Sequence, residues 1–196
     1  VCPPVTTWRN KDALLSELID DLKGTDRTAP SAIVIGALGR VGTGAADLCE
    51  AMGVSPIRWD MAETASGGPF PEILTHDMFF NCILARPGTP QFVPQSALKA
   101  QRTLSVIGDI ACDPDSDYNP IPVYDAATTW DEPVIRVHDD PVLDVMAIDN
   151  LPSLLPRESS LDFAAQLLPS LQGLDNLGAG VWGRARKDFD AHVGKV

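Results

Sequence analysis

The sequence predicts an α/β protein of the Rossmann-like, doubly wound type, built on a parallel sheet. Three observations carry that expectation. Residues 31–35 (SAIVI) are a short, β-branched apolar run, the kind that suits a strand covered on both faces. The run leads straight into Gly36, Gly39, Gly42 and Gly44, followed by a helical stretch over 45–52. A second apolar stretch at 57–59 then ends in a lone carboxylate, Asp60.

Strand, glycine turn, helix start, second strand and acid is the order a dinucleotide-binding fold requires. Gly36 permits a tight turn, Gly39 lets a pyrophosphate approach the backbone, and Gly42 allows the helix to pack closely on the sheet. The helix N-terminus offers free N–H groups and the positive end of its dipole to phosphates. Asp60 stands 18 residues beyond Gly42 and 21 beyond Gly39, close to the distance at which an acid meets the adenosine ribose. The spacing is G-x-x-G-x-x-G, so the turn alone does not separate NAD from other adenosine cofactors.

The remaining elements follow in order. Residues 10–23 read as an amphipathic helix with Leu14, Leu15, Leu18, Ile19 and Leu22 along one face. A dinucleotide domain ordinarily opens on its first strand, so residues 1–30 are expected to be a connector from an upstream domain, and 31–196 the nucleotide-binding unit. After Asp60 comes a Gly/Pro loop, then an apolar strand candidate at 78–84 and a proline-broken loop at 85–92. A short helix is expected over 96–101 and a strand over 104–107. The stretch GDIACDPDSDYNPIP is too long and turn-rich for a simple connection, and such loops are more often functional than structural. Further strands are expected at 134–137 and 142–148. Pro152 and Pro156 block a helix before about residue 157, and helices over 159–171 and 181–193 close the chain.

Composition excludes several classes. A chain of 196 residues can bury one good core. A net charge of −12 offers no basic stripe to nucleic acid or to an anionic membrane. There is no apolar run of membrane length and no signal-peptide pattern, which points to a cytoplasmic protein. Cys2, Cys49, Cys82 and Cys112 lack metal-ligand spacing, and reduced thiols are expected. Asp113, Asp115 and Asp117 lack the glycine and distant glutamate of a calcium loop, so no metal is expected. His76, His138 and His192 form no local catalytic motif, and no catalytic residue is assigned. Arg157 and Glu158 are expected to open a helix and pair locally.

With these segments laid out, a likeness emerges along most of the chain. GALGRVGTGA, WDMAETASGGPFPEI, NCIL, DIACDPDSDYNPIPVYDAAT and AIDNLPSLLPRESS, with the ending LLPSL…VWGRARKDFDAH, resemble the NAD-dependent, lysine-forming saccharopine dehydrogenases. The match runs from about residue 30 to the C-terminus and corresponds to the cofactor-binding half of that family. The resemblance implies that the catalytic lysine and histidine belong to an N-terminal half related to alanine dehydrogenase and transhydrogenase. It further implies that Arg40 and Val41 contact the cofactor phosphates, and that Asp60 and Thr64 hold the adenosine ribose and its surroundings. Cys82, Ile83 and Leu84 would line the adenine or ribose wall, Ile110 would border the nicotinamide, and Ile148, Asp149, Asn150 and Leu151 would close over its far end. Two positions depart from the family pattern. Val41 stands where members can carry a cysteine facing the Cys82 position, so that bridge cannot form. Leu84 stands where a tyrosine is familiar.

The family reaction oxidises the secondary amine of saccharopine by hydride transfer to NAD, and water then splits the imine into lysine and 2-oxoglutarate. The small-molecule partners implied are therefore saccharopine, or lysine with 2-oxoglutarate. Two other readings stay open on sequence. One is an NAD(H)-binding module or subunit that serves a separate protein. The other is an S-adenosylmethionine-dependent methyltransferase, whose fold also follows a glycine turn with an acid, although the DNLPSLLPRE block speaks against it.

Overall fold

Six strands assemble in the spatial order β2-β1-β3-β4-β6-β5 in the computed structural model, which describes residues 2–24 and 29–194. They are β1 (Ala32–Ile35), β2 (Ile57–Trp59), β3 (Met78–Asn81), β4 (Val106–Asp109), β5 (Ile135–Asp139) and β6 (Val142–Met146). Every pairing is parallel except β5 with β6, so an antiparallel hairpin closes one edge of a parallel sheet. The chain leaves β1 toward β2 on one side and returns to β3 on the other. That reversal between β1 and β3 is the topological switch point, where open α/β sheets take their ligands.

Alternation along β1 explains why it is buried on both faces. Ala32 and Val34 face α2 (Arg40–Ala51) and pack with Ala46, Cys49 and Val54. Ile33 and Ile35 point the other way, into the main core with Phe79, Ile107 and Val145. This second face is covered by short 3-10 turns (Pro71–Thr75 and Gln95–Lys99) and ordered loops, which supply Phe70, Ile73, Phe92, Val93, Ile121 and Tyr124. Edge-to-face contacts run Trp59–Phe70–Phe92–Phe79, with ring centroids 5.6–6.1 Å apart.

The elements fall close to their expected positions, with instructive shifts. α2 begins at Arg40, five residues before the first residue of the expected stretch, because Gly39 in an extended conformation starts the helix inside the glycine run. β4 begins at Val106, two residues late: the amides of Ser105 and Val106 bond Asp77 O below the sheet before the ladder starts. A one-turn helix, α3 (Met61–Thr64), occupies what reads as loop. Asp60 and Glu63 cap it reciprocally, a D-x-x-E signal present in the sequence.

The remaining helices are α1 (Lys11–Lys23), α4 (Pro156–Gln172) and α5 (Gly180–Val193); none of the three has a buried residue. α4 opens with Pro156 at its first position, where the missing N–H costs nothing. Of the expected connector 1–30, residues 1 and 25–28 lie outside the described residues. The segment before α1 docks back on the chain: Val5 N donates to Trp130 O, and Trp8 N to Leu154 O. Glu158 accepts from Lys11 N at 2.9 Å, and no ion pair joins it to Arg157 among the described residues. The expected local pair is thus replaced by a tie between the start of α1 and the first turn of α4.

Candidate nucleotide site

The site begins with geometry that only glycine permits. Gly36 has φ +85°, and a Cβ there would lie 2.9 Å from the Cys82 backbone. A Cβ on Gly42 would fall 2.1 Å from Gly36 O, so the first turn of α2 can sit on the end of β1 only without a side chain. Gly36 N and Ala37 N both donate to Trp59 O, which binds the turn to the end of β2. The first amide returned into the helix is that of Thr43, to Gly39 O at 2.8 Å. The amides of Arg40, Val41 and Gly42 therefore have no carbonyl within the helix, and they point out at its positive end.

Asp60 stands beside this turn. Its Oδ2 accepts from Leu38 N at 3.0 Å and its Oδ1 from Met61 N at 2.9 Å, so both the glycine turn and α3 hold the carboxylate. Each oxygen keeps a further lone pair, enough for a pair of ribose hydroxyls. Leu38 and Met61 flank it, each 82% exposed, as apolar surface at the mouth of the site. Thr64 turns inward: its Oγ1 donates to Asp60 O at 3.0 Å, which makes it a support for the carboxylate's backbone. Arg40 reaches across to α4 and pairs with Asp162 at 2.5 Å, both side chains being largely exposed.

On the other side of the switch point, a cleft of about 250 Å³ opens at the C-terminal ends of β3 and β4. Val41, Cys82, Ile83, Leu84 and Ile110 line it together, so the structure brings five sequence-predicted residues to one wall. Ile148, Asp149, Asn150 and Leu151 are not on that lining; they lie at the end of β6, where Ile148 bridges Thr128 and Asn150 Nδ2 donates to Ser153 Oγ. The two places are joined through Cys112, whose thiol donates to Ala147 O at 3.0 Å.

Sequence reasoning missed the floor of the cleft. Asp109, at the end of β4, is 1% exposed yet lines the cleft, with Ala85, Ala111, Asp113, Asn119 and Pro120 around it. Asp109 accepts from Asn81 Nδ2 at 2.9 Å, from Tyr124 OH at 2.7 Å and from Cys112 N at 3.3 Å. The signal was the long, turn-rich loop that begins at Gly108; what the residues alone do not reveal is that Tyr124 folds back to meet its first acid. Burial, reinforced by the Asp109 charge, pushes the Cys82 thiol up to about 12. Burial first and then Asp109, Asp149 and Asp113 raise Cys112, and burial with the Asp109 hydrogen bond and charge raises Tyr124. All four cysteines are free. Among the described residues no group of three or more His, Cys, Asp or Glu could hold a metal, and no helix is long and apolar enough to cross a membrane.

A glycine turn against a parallel switch point, a helix start with free amides and an acid pinned beside them define a protein of Rossmann-like fold with a candidate nucleotide site. Comparison with known proteins narrows this class. The chain is 44% identical to the NAD(+)-dependent, L-lysine-forming saccharopine dehydrogenase of Candida albicans over 99% of its length, which is 54% of that protein. The same enzyme of Yarrowia lipolytica is 44% identical over 99% of this chain and 55% of its own, and that of Neurospora crassa 42% over 97% and 54%. The chain is thus similar to saccharopine dehydrogenases along almost its whole length, and it spans about half the length of the curated relatives it matches. No family model matches it. This kinship favours neither a methyltransferase nor a separate nucleotide-binding subunit.

Proposed function

We propose that the chain is the NAD-binding portion of a saccharopine dehydrogenase, with 31–196 as the nucleotide-binding unit and 1–30 as its connector. The observation that carries this is the continuity of the Asp60 carboxylate, the free amides of α2 and the cleft over β3 and β4. These lie across four adjacent strands, β2-β1-β3-β4, a span of about 14 Å at ordinary strand spacing. An extended dinucleotide fits that span in one direction: adenosine ribose on Asp60, pyrophosphate on the Arg40–Gly42 amides, nicotinamide in the cleft. When bound, NAD would supply the hydride acceptor for oxidation of a secondary amine. This chain's residues bind and orient it: Asp60 and Thr64 at the ribose, Gly36, Gly39, Arg40, Val41 and Gly42 at the phosphates, Cys82, Ile83 and Leu84 along the adenine or ribose wall of the cleft, and Ile110 at its nicotinamide border. Ile148, Asp149, Asn150 and Leu151 border the nicotinamide end.

The second step of the family reaction, hydrolysis of an imine to lysine and 2-oxoglutarate, needs an acid/base group that titrates near neutrality. The cleft offers two carboxylates and one hindered thiol, and no histidine or lysine lines it. We therefore assign the acid/base groups to the other half of the enzyme, with saccharopine, or lysine and 2-oxoglutarate, as its substrates, in the cytoplasm.

Calorimetry with NAD(+) and NADP(+) tests the cofactor assignment. A 2′-phosphate about 4 Å from Asp60 costs roughly 4 kcal/mol at an effective dielectric near 20, and half of that gives about 30-fold preference for NAD(+). Asp60→Ala should erase most of the preference. Equal affinities in the unmodified protein would overturn the reading, and steady saccharopine oxidation by these 196 residues alone would overturn the assignment of acid/base groups elsewhere.

A further inference from the structure

We propose that the buried carboxylate of Asp109 makes this cleft prefer the oxidised, positively charged nicotinamide over the neutral reduced one. The inference rests on the cofactor reading above and adds to it the residue that sets the redox preference.

Asp109 is held by three donors, Asn81 Nδ2, Tyr124 OH and Cys112 N, all of them neutral. No arginine, lysine or histidine forms an ion pair with it among the described residues. The cleft lining adds a second carboxylate, the exposed Asp113, and no cation. A buried charge without a counter-ion is expensive unless something of opposite sign arrives. The position is apt for that. β4 is the fourth strand counted from Asp60, and a dinucleotide that starts there with its adenosine ribose ends over β4 with its nicotinamide. The ring of NAD(+) bears a positive charge and that of NADH does not, so an anion fixed below the ring acts on the difference between the two. Second to burial, the Asp109 charge raises the thiols of Cys82, which lines the cleft, and of Cys112, whose N–H the carboxylate accepts. Tighter binding of NAD(+) also lowers the potential of the bound couple, which restrains hydride transfer to it and favours the return reaction.

The test compares affinities for NAD(+), NADH and ADP-ribose in the unmodified chain, Asp109→Asn and Tyr124→Phe. Asparagine keeps the shape: its Oδ1 can accept from Asn81 and Cys112, and its Nδ2 can donate to Tyr124 Oη. Asp109→Asn should lower the NAD(+)/NADH affinity ratio about fivefold or more while ADP-ribose affinity changes less than twofold. Tyr124→Phe removes a donor and keeps the charge, so its ratio should hold or rise. An unchanged ratio in Asp109→Asn overturns the inference. Equal losses for all three ligands do the same, because they report a collapsed loop. A lowered ratio in Tyr124→Phe also overturns it, and that measurement decides alone if Asp109→Asn fails to fold. Binding of no ligand, ADP-ribose included, by the unmodified chain is the separate result that fails the cofactor reading itself.

Discussion

The sheet with its glycine turn and the helices α1, α4 and α5 treat their apolar residues in opposite ways. In the sheet, β1 is buried residue by residue, and a 12-residue helix is pressed so close that Gly42 has no room for a methyl group. In the three helices, 44 residues of regular helix contain no buried residue. Leu161, Phe163, Leu168, Leu171, Val181, Phe189 and Val193 stand exposed there. The difference teaches that apolar periodicity reports a face that wants cover, while only tertiary packing says whether the cover is present. It also separates what these parts can do: the sheet can preorganise a site, and the outer helices can respond to whatever lies against them.

The largest effect should come from breaking the packed side. Phe79 is fully buried on β3 and meets Phe92 edge to face, so Phe79→Ala should cost about 3–5 kcal/mol in denaturant unfolding. Phe163 on α4 is 65% exposed, and Phe163→Ala should stay within about 0.5 kcal/mol. Similar costs at the two positions would mean that the two regions are not packed as differently as described.

The second effect sharpens the comparison within one helix. Gly42→Ala must move Gly36 O, which the methyl would approach to 2.1 Å, and should cost about 3 kcal/mol together with nucleotide binding. Gly44 lies two residues on, with nothing within 4 Å of its would-be Cβ. Gly44→Ala should stabilise the protein by about 0.5–1 kcal/mol, as alanine does in a helix interior. Thermal unfolding of the pair reads both signs, and a neutral Gly42→Ala would remove the close approach on which the site rests.

Much of this was legible because it depends on local pattern. The apolar runs that become β1, β2 and β3, the glycines and Asp60 announce themselves within 30 to 50 residues of chain. What was not legible depends on distant pairing. Nothing local shows that Leu38 N will hold Asp60 Oδ2, that Tyr124 will close over Asp109, or that Glu158 will cap the start of α1 from 147 residues away. The order of β5 and β6 is of the same kind. β6 pairs with β4 and sends β5 to the edge, a choice made by burial of Leu143 and Val145 that the two similar apolar runs do not reveal.

The smallest effect compares two polar links. Arg40–Asp162 joins the two regions, but both side chains are well exposed, and Asp162→Asn should change stability by less than about 0.5 kcal/mol. Ser31–Asp77 lies within the sheet region, at the end opposite the site, where it clamps the entries to β1 and β3. Ser31 N and Oγ both donate to Asp77 Oδ2, at 2.8 and 2.6 Å, and Asp77 N donates back to Ser31 Oγ at 3.0 Å. Ser31→Ala should cost about 1 kcal/mol near neutral pH. The hydrogen bonds from Ser31 hold the Asp77 carboxyl below its ordinary range. A depressed folded pKa gives stability that is complete above the unfolded value, near 3.9, and is lost as pH falls through the folded one. The gap between Ser31→Ala and the unmodified protein should therefore narrow as urea unfolding is repeated from pH 6 down to pH 3. A gap that stays constant or widens toward acid would show that the serine acts through packing and not through the carboxylate it faces.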